Sequence, residues 1–298
     1  CITLKYKSDQ FYDVIKLGRT QLQDAVPVTM GQTFHAYYTT LKEEGQRIQR
    51  EAALFYEINL GGTAVGTGIN THKKYAALAI DHLAQLSEKP MVMAADLIEA
   101  TSDMGAFVAF SSSLKRTATK LSRICNDLRL MSSGPRGGFN EINLPARQPG
   151  SSIMPGKVNP VIPEAVNQIA FQIIGNDVTV TMAAEAGQLE LNVMEPVITY
   201  NVLESTRLLT SGVDLLERLC VRDITVNEGQ CRHWVEQSIG VVTALNNRLG
   251  YQATSQLATQ ALESGKSVRA LVLEQQLLSG AEAESLLDPK GMIRPNVL

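Results

Sequence analysis

Apolar residues recur along this chain with helical spacing, most clearly between residues 105 and 131. Phe107, Leu114, Leu121 and Leu128 repeat every seven positions, and Phe110, Thr117, Ile124 and Met131 form a second row three positions on. Two adjacent heptad rows predict one long helix presenting a coiled-coil-like face to a bundle. The breaker cluster Ser132-Ser133-Gly134-Pro135 predicts where that helix ends.

The same reading predicts a long helix over 32–58, with Glu43, Glu44, Arg47, Arg50 and Glu51 on its solvated face. A shorter helix follows over 74–88, stopped at Lys89-Pro90, and two more span 160–186 and 193–220, separated at Gly187. Strand-like alternation is hard to find. The fold class expected is all-α, a long-helix bundle. Near Asp223 the composition shifts. Asn227 is placed to cap a helix, and shorter helices punctuated by Gly240, Gly250, Gly265 and Gly280 follow. The expected organisation is a central helical domain over 1–222 and a small helical domain over 223–298.

Composition narrows the function. The chain has 298 residues, 44% hydrophobic and 19% charged, ample for a large buried core. A net charge of −3 and a pI near 5.9 favour neither nucleic acid nor an anionic membrane as partner. No apolar run approaches the ~18 residues of a membrane span, and no signal segment opens the chain. Cys1, Cys125, Cys220 and Cys231 are widely spaced, as expected of reduced thiols in a cytoplasmic protein. The chain opens on Cys1 rather than Met, with no helix cap or strand entry, and an N-terminal truncation is expected. His35, His72, His82 and His233 form no pair at ligand spacing, so neither a catalytic metal nor another cofactor is expected. Gly62 to Gly68 lacks the βαβ setting and third glycine of a dinucleotide loop, and reads as a tight turn between helices.

The chemistry concentrates in residues 150–160, Gly-Ser-Ser-Ile-Met-Pro-Gly-Lys-Val-Asn-Pro. Asn159-Pro160 predicts a helix start, with Asn as cap and Pro at the first helical position. A helix N-terminus with Lys157 two residues upstream suits a carboxylate. A phosphate loop is excluded, because five residues separate Gly150 from Gly156-Lys157 and Val158 stands where Ser or Thr is needed. From the loop alone, a carboxylate site and a plain Ser/Gly/Pro linker both remain open.

The loop resembles the signature GSSxMPxKxNP of the fumarase/aspartase superfamily at every specified position. Gly18-Arg19-Thr20-Gln21-Leu22-Gln23-Asp24-Ala25-Val26-Pro27 and the run from Asn59 to Asn70 resemble two further blocks of that family. The runs Asp96–Asp103 and Thr181–Pro196 resemble its aspartate ammonia-lyase branch in particular. The likeness extends from about residue 12 to residue 295.

The resemblance implies a lyase that eliminates ammonia from L-aspartate to give fumarate, reversibly. It implies Ser151 as general base, Ser152 on the carboxylate that gains charge, and Lys157 and Asn159 on the other carboxylate. Thr20 matches a substrate-contacting position. Gln21 stands where many fumarases carry His, and Glu164 matches that histidine's glutamate partner. The resemblance also implies a homotetramer whose sites draw on three subunits, and a further substrate-binding segment, rich in Ser, Thr and Asn, upstream of Gly18. No counterpart of that segment is found in this chain. A class II fumarate hydratase and a truncated, non-catalytic helical oligomer remain as alternatives.

Overall fold

The computed structural model describes residues 1–148, 153–154 and 156–293. In chain order, α1 (Ile2–Gln10) leads to strands β1 (Ile15–Thr20) and β2 (Gln23–Thr29), then α2 (Met30–Ala52). Strands β3 (Glu57–Ile58) and β4 (Val92–Met93) flank α3 (Tyr75–Ser87), and a one-turn α4 (Glu99–Ser102) precedes α5 (Gly105–Met131). After β5 (Ile142–Asn143) come α6 (Val161–Glu185), α7 (Glu195–Leu219) and β6 (Thr225–Val226). The last elements are α8 (Glu228–Gln237), α9 (Asn246–Leu249), α10 (Tyr251–Ser264), α11 (Val268–Glu274), α12 (Gly280–Leu286) and α13 (Pro289–Met292). Helix dominates, as the periodicity predicts. The chain divides into two compact units: Cys1–Tyr38 with Leu128–Pro145 and Val221–Leu298, and Thr39–Asp127 with Ala146–Cys220.

The second unit is built on long helices. Along α5 within this unit, Leu114, Thr117, Leu121 and Ile124 of the two heptad rows are buried, and Phe107 and Phe110 are half-buried; Leu128 and Met131, which belong to the first unit, are buried as well. Helices α6 and α7 run antiparallel. Asn176 faces Ser205 at 3.0 Å, and a Cβ on Gly212 would sit 3.4 Å from Ile169, so positions match at equal distances from the intervening turn. Met104, Val180, Ala183, Ile198 and Val202 form a shared core that α5, α6 and α7 enclose.

Helix α2 ends at Ala52, earlier than the predicted residue 58. There Phe55 turns into edge-on contacts with Phe107 and Phe110, at centroid distances of 4.9 and 5.4 Å, and Glu57–Ile58 pairs with β4. The expected solvated face of α2 holds at Glu43 and Arg50, which are exposed, and is corrected at Glu44. Glu44 is fully buried and paired with Lys120 and, at 3.0 Å, with Arg116. A charge can leave water this way only because two opposite charges on α5 meet it. The glycine-rich run 62–68 is a turn, as expected. Gly66 adopts φ +104°, and a Cβ there would collide with the backbone at Ile98.

In the first unit Leu17, Leu245, Leu257, Val272 and their neighbours form the core. The β1–β2 hairpin is a feature that the sequence reading did not anticipate. Its two-residue turn has Gln21 at φ 55° and Leu22 at φ 63°, where hairpin turns favour Asn and Gly. Without that chemistry the turn carries no local signal. Asn227 does precede α8, but its side chain makes no capping bond. Instead its Nδ2 donates to the Asn140 carbonyl and to the side-chain oxygens of Asn140 and Asn143, each at 3.0 Å. These tertiary partners displace the local cap.

Candidate active site

Two segments carry the candidate chemistry. The first is the hairpin tip, where Thr20 is the last residue of β1 and Gln21 the first of the turn. Both are exposed. A bulge interrupts the strand register between Leu17 and Arg19. Gly18 permits it, because a Cβ there would lie 2.5 Å from the Val26 carbonyl oxygen.

A buried carboxylate lies behind the tip. Glu141 is fully buried, with Arg19 Nη1 at 2.5 Å from one oxygen and Lys16 Nζ at 3.2 Å from the other. The Arg19 guanidinium also sits 4.0 Å above the Phe139 ring. Glu141 was not singled out from sequence. A lone acid after a glycine-rich stretch gives no sign of partners more than a hundred positions away.

The second segment is the approach to α6. Ser151 and Ser152 lie outside the described residues, so the structure makes no statement on the proposed base or on its neighbour. Lys157 is exposed, and its backbone N–H donates to the Met154 carbonyl at 3.2 Å. Gly156 adopts φ +82°. Helix α6 starts at Val161 with Pro160 in the cap position, and no side chain caps it. Asn159 is therefore one residue further out than expected. Its carbonyl accepts from the Val161 N–H at 2.9 Å, and the Glu164 N–H donates to the Pro160 carbonyl at 3.2 Å. Pro163 has no N–H. The first turn of α6 thus offers an anion fewer amides than a helix start ordinarily does, which leaves Lys157 as the main fixed positive charge of this segment.

Thr20 and Gln21 belong to the first unit, and Lys157, Asn159 and Glu164 to the second. A cleft of about 780 Å³ in the first unit, lined by Asp13, Arg232, Arg269 and Lys290 among others, includes none of the predicted site residues. Among the described residues, no group of three or more His, Cys, Asp or Glu is arranged to hold a metal ion. No helix of the described residues is long and apolar enough to cross a membrane. Trp234, adjacent to His233, has a structural partner: its Nε1 donates to the Phe139 carbonyl at 2.9 Å.

The family model described as "Lyase" matches residues 2–175, and the model described as "Fumarase C C-terminus" matches residues 241–294. The chain belongs to this lyase family, within the fumarase/aspartase superfamily. Its curated relatives include an aspartate ammonia-lyase of Pseudomonas canavaninivorans, 61% identical over 98% of this chain and 62% of that protein. The aspartate ammonia-lyase of Escherichia coli is 55% identical over 97% of this chain and 60% of that protein. A crystal structure of a fumarate lyase:delta crystallin from Brucella melitensis bound to cobalt is similar at a TM-score of 0.95, with 52% identity, over 99% of this chain and 64% of that one. A class II fumarase from Schistosoma mansoni reaches a TM-score of 0.93 at 36% identity, over 99% of this chain and 65% of that one. The chain spans about three-fifths of the length of the curated relatives it matches.

Proposed function

We propose that this chain is part of an aspartate ammonia-lyase, converting L-aspartate to fumarate and ammonia reversibly. The observation that carries the reading is the loop 150–160, which holds Ser151, Ser152, Lys157 and Asn159 together just before α6. Relatives named for that activity share 61% and 55% of its residues along nearly the whole of this chain.

The hard step is removing a proton from the carbon beside a carboxylate. The carbanion delocalises into that carboxylate, which then carries two negative charges. Donors aimed at its oxygens beforehand lower the barrier most. Ser151 takes the proton as general base. A serine hydroxyl is a weak acid, so its alkoxide needs a nearby positive charge, and Lys157 on the same loop is the candidate. Ser152 donates to the carboxylate that gains charge, while Lys157 and Asn159 hold the other carboxylate. Thr20 and Gln21 contact the substrate from the hairpin tip. Gln21 orients by hydrogen bonding alone, since an amide exchanges no proton as histidine does. Glu164 supports the loop from the first turn of α6. We place the protein in the cytoplasm and in a homotetramer whose sites combine segments of different subunits.

The test is to incubate the full-length protein with L-aspartate and follow the ultraviolet absorbance of fumarate. Fumarate release supports the proposal. Release from malate but not from aspartate overturns it in favour of a fumarate hydratase. Replacing Ser151 by Ala removes nearly all turnover, by at least about 10²-fold on the general-base scale, while the far-ultraviolet helical signal stays unchanged. Retained activity would put the base elsewhere.

A further inference from the structure

We propose that Glu141 is a positioning residue that holds the hairpin tip carrying Thr20 and Gln21 through Arg19. The proposal rests on the reading of Thr20 and Gln21 as substrate contacts. The tip is weakly determined by its own sequence. Beyond the bulge at Gly18 only the pairs Arg19–Asp24 and Thr20–Gln23 close the ladder among the described residues. The turn then places Gln21 and Leu22, neither of them glycine, in the left-handed region. Such a conformation persists where its surroundings impose it, and hairpins with weak turns are prone to slip register.

Glu141 supplies a fixed reference. Its N–H donates to the Met131 carbonyl at 2.8 Å, and its carbonyl accepts from the Asn227 N–H at 2.9 Å. The next residue, Ile142, opens β5, which pairs with β6. The carboxylate of this anchored residue reaches β1 at two points, Lys16 before the bulge and Arg19 after it. Arg19 is locked a second time, over the Phe139 ring, whose own carbonyl is held by Trp234. Arg19 directly precedes Thr20. A buried carboxylate bridging both sides of a bulge sets the angle at which the tip leaves the core. The Glu141 carboxylate is fully buried and both cations nearly so, the Arg19 contact being a hydrogen-bonded ion pair and the Lys16 contact an ion pair without a hydrogen bond, so exchange with water is hindered.

The experiment uses the full-length protein with Glu141→Gln, Thr20→Ala and the double variant. The Glu141→Gln change lowers kcat/KM for aspartate by roughly 10²-fold, the cost of a reacting-group misplacement of about 1 Å. The double variant is then little worse than Thr20→Ala alone, because Glu141 acts through the tip. Losses that multiply would overturn the proposal and make Glu141 a stability residue only. A nitroxide on Leu22→Cys, in a Cys1→Ser background, reads the tip without reference to activity. Leu22 is exposed and Cys125, Cys220 and Cys231 are buried. The spectral lines are broad in the parent and narrow with Glu141→Gln; unchanged lines overturn the clamp. Should Glu141→Gln not fold, Arg19→Lys keeps the charge but loses the planar fork and the ring stacking, and the same narrowing is expected. If the parent releases no fumarate, the site reading falls, and the nitroxide result still decides the clamp.

Discussion

At the scale of single residues, burial overrides the character that composition assigns. Glu44 belongs to a charged run that reads as a solvated helix face, yet it is fully buried because Arg116 and Lys120 reach it from α5. Cys231 is a second case. Burial, with the nearby Glu141 carboxylate adding to it, pushes its thiol up to about 12 from an ordinary value of 9.0. Between those two values the unfolded chain releases a proton that the folded chain keeps. The unfolded state then binds fewer protons, so stability falls as pH rises through this window. The expected result is an unfolding free energy, from urea titration, that drops more steeply above pH 9 in the parent than in Cys231→Ala, by up to about 1.4 kcal/mol per pH unit. Parallel curves would show that the thiol titrates normally. Neither behaviour was legible from the chain, because both depend on neighbours remote in sequence.

At the scale of elements, legibility followed the strength of the local pattern. Helix α5 appears over the predicted 105–131, and α6 and α7 fall within a residue or two of expectation, because their buried rows repeat over many turns. Terminal details were less legible. The cap of α6 moved to Pro160, and Asn227 spends its side chain on Asn140 and Asn143. The turn joining α6 to α7 has its own pin. The buried Asn192 donates through Nδ2 to the carbonyls of Ala183 and Ala184, each at 3.1 Å, and accepts from the Met194 N–H at 2.8 Å. It satisfies the Ala183 carbonyl at the end of α6 and gives the Ala184 carbonyl, which also accepts from the Gly187 N–H at 3.5 Å, a further donor. Asn192→Ala strands these groups out of reach of water and is expected to cost about 1–3 kcal/mol, measured by chemical denaturation. An unchanged midpoint would mean that water replaces the side chain freely.

At the scale of the whole molecule, the proposed function takes each site from more than one subunit. Thr20 lies in one unit and Lys157, Asn159 and Glu164 in the other, and the family resemblance draws a site from several subunits. That predicts complementation. Mixing full-length Ser151→Ala and Thr20→Ala proteins, each impaired alone, under exchange conditions should raise activity well above the sum of the two. With random one-to-one mixing, roughly a quarter of the sites receive an intact serine from one chain and an intact threonine from another. No recovery, with mixed oligomers verified by mass, would place both residues of a site on one chain.

By itself the sequence determined what neighbours along the chain decide: helix periodicity, breaker positions, and the loop whose composition and spacing resemble one family. Those signals are local, since a helix face or a loop signature is complete within a few turns of chain. The tertiary structure alone decided which charges are buried, which turn is held against its own preference, and which side chains lend their hydrogen bonds to distant elements. Glu141 with Lys16 and Arg19, Asp177 with Ser111 and Lys115, and Asn167 with Ser122 join positions 45 to 125 residues apart. The physical reason is desolvation. A buried polar group needs its partner whatever the distance along the chain, and nothing in the local pattern records which partner folding will bring.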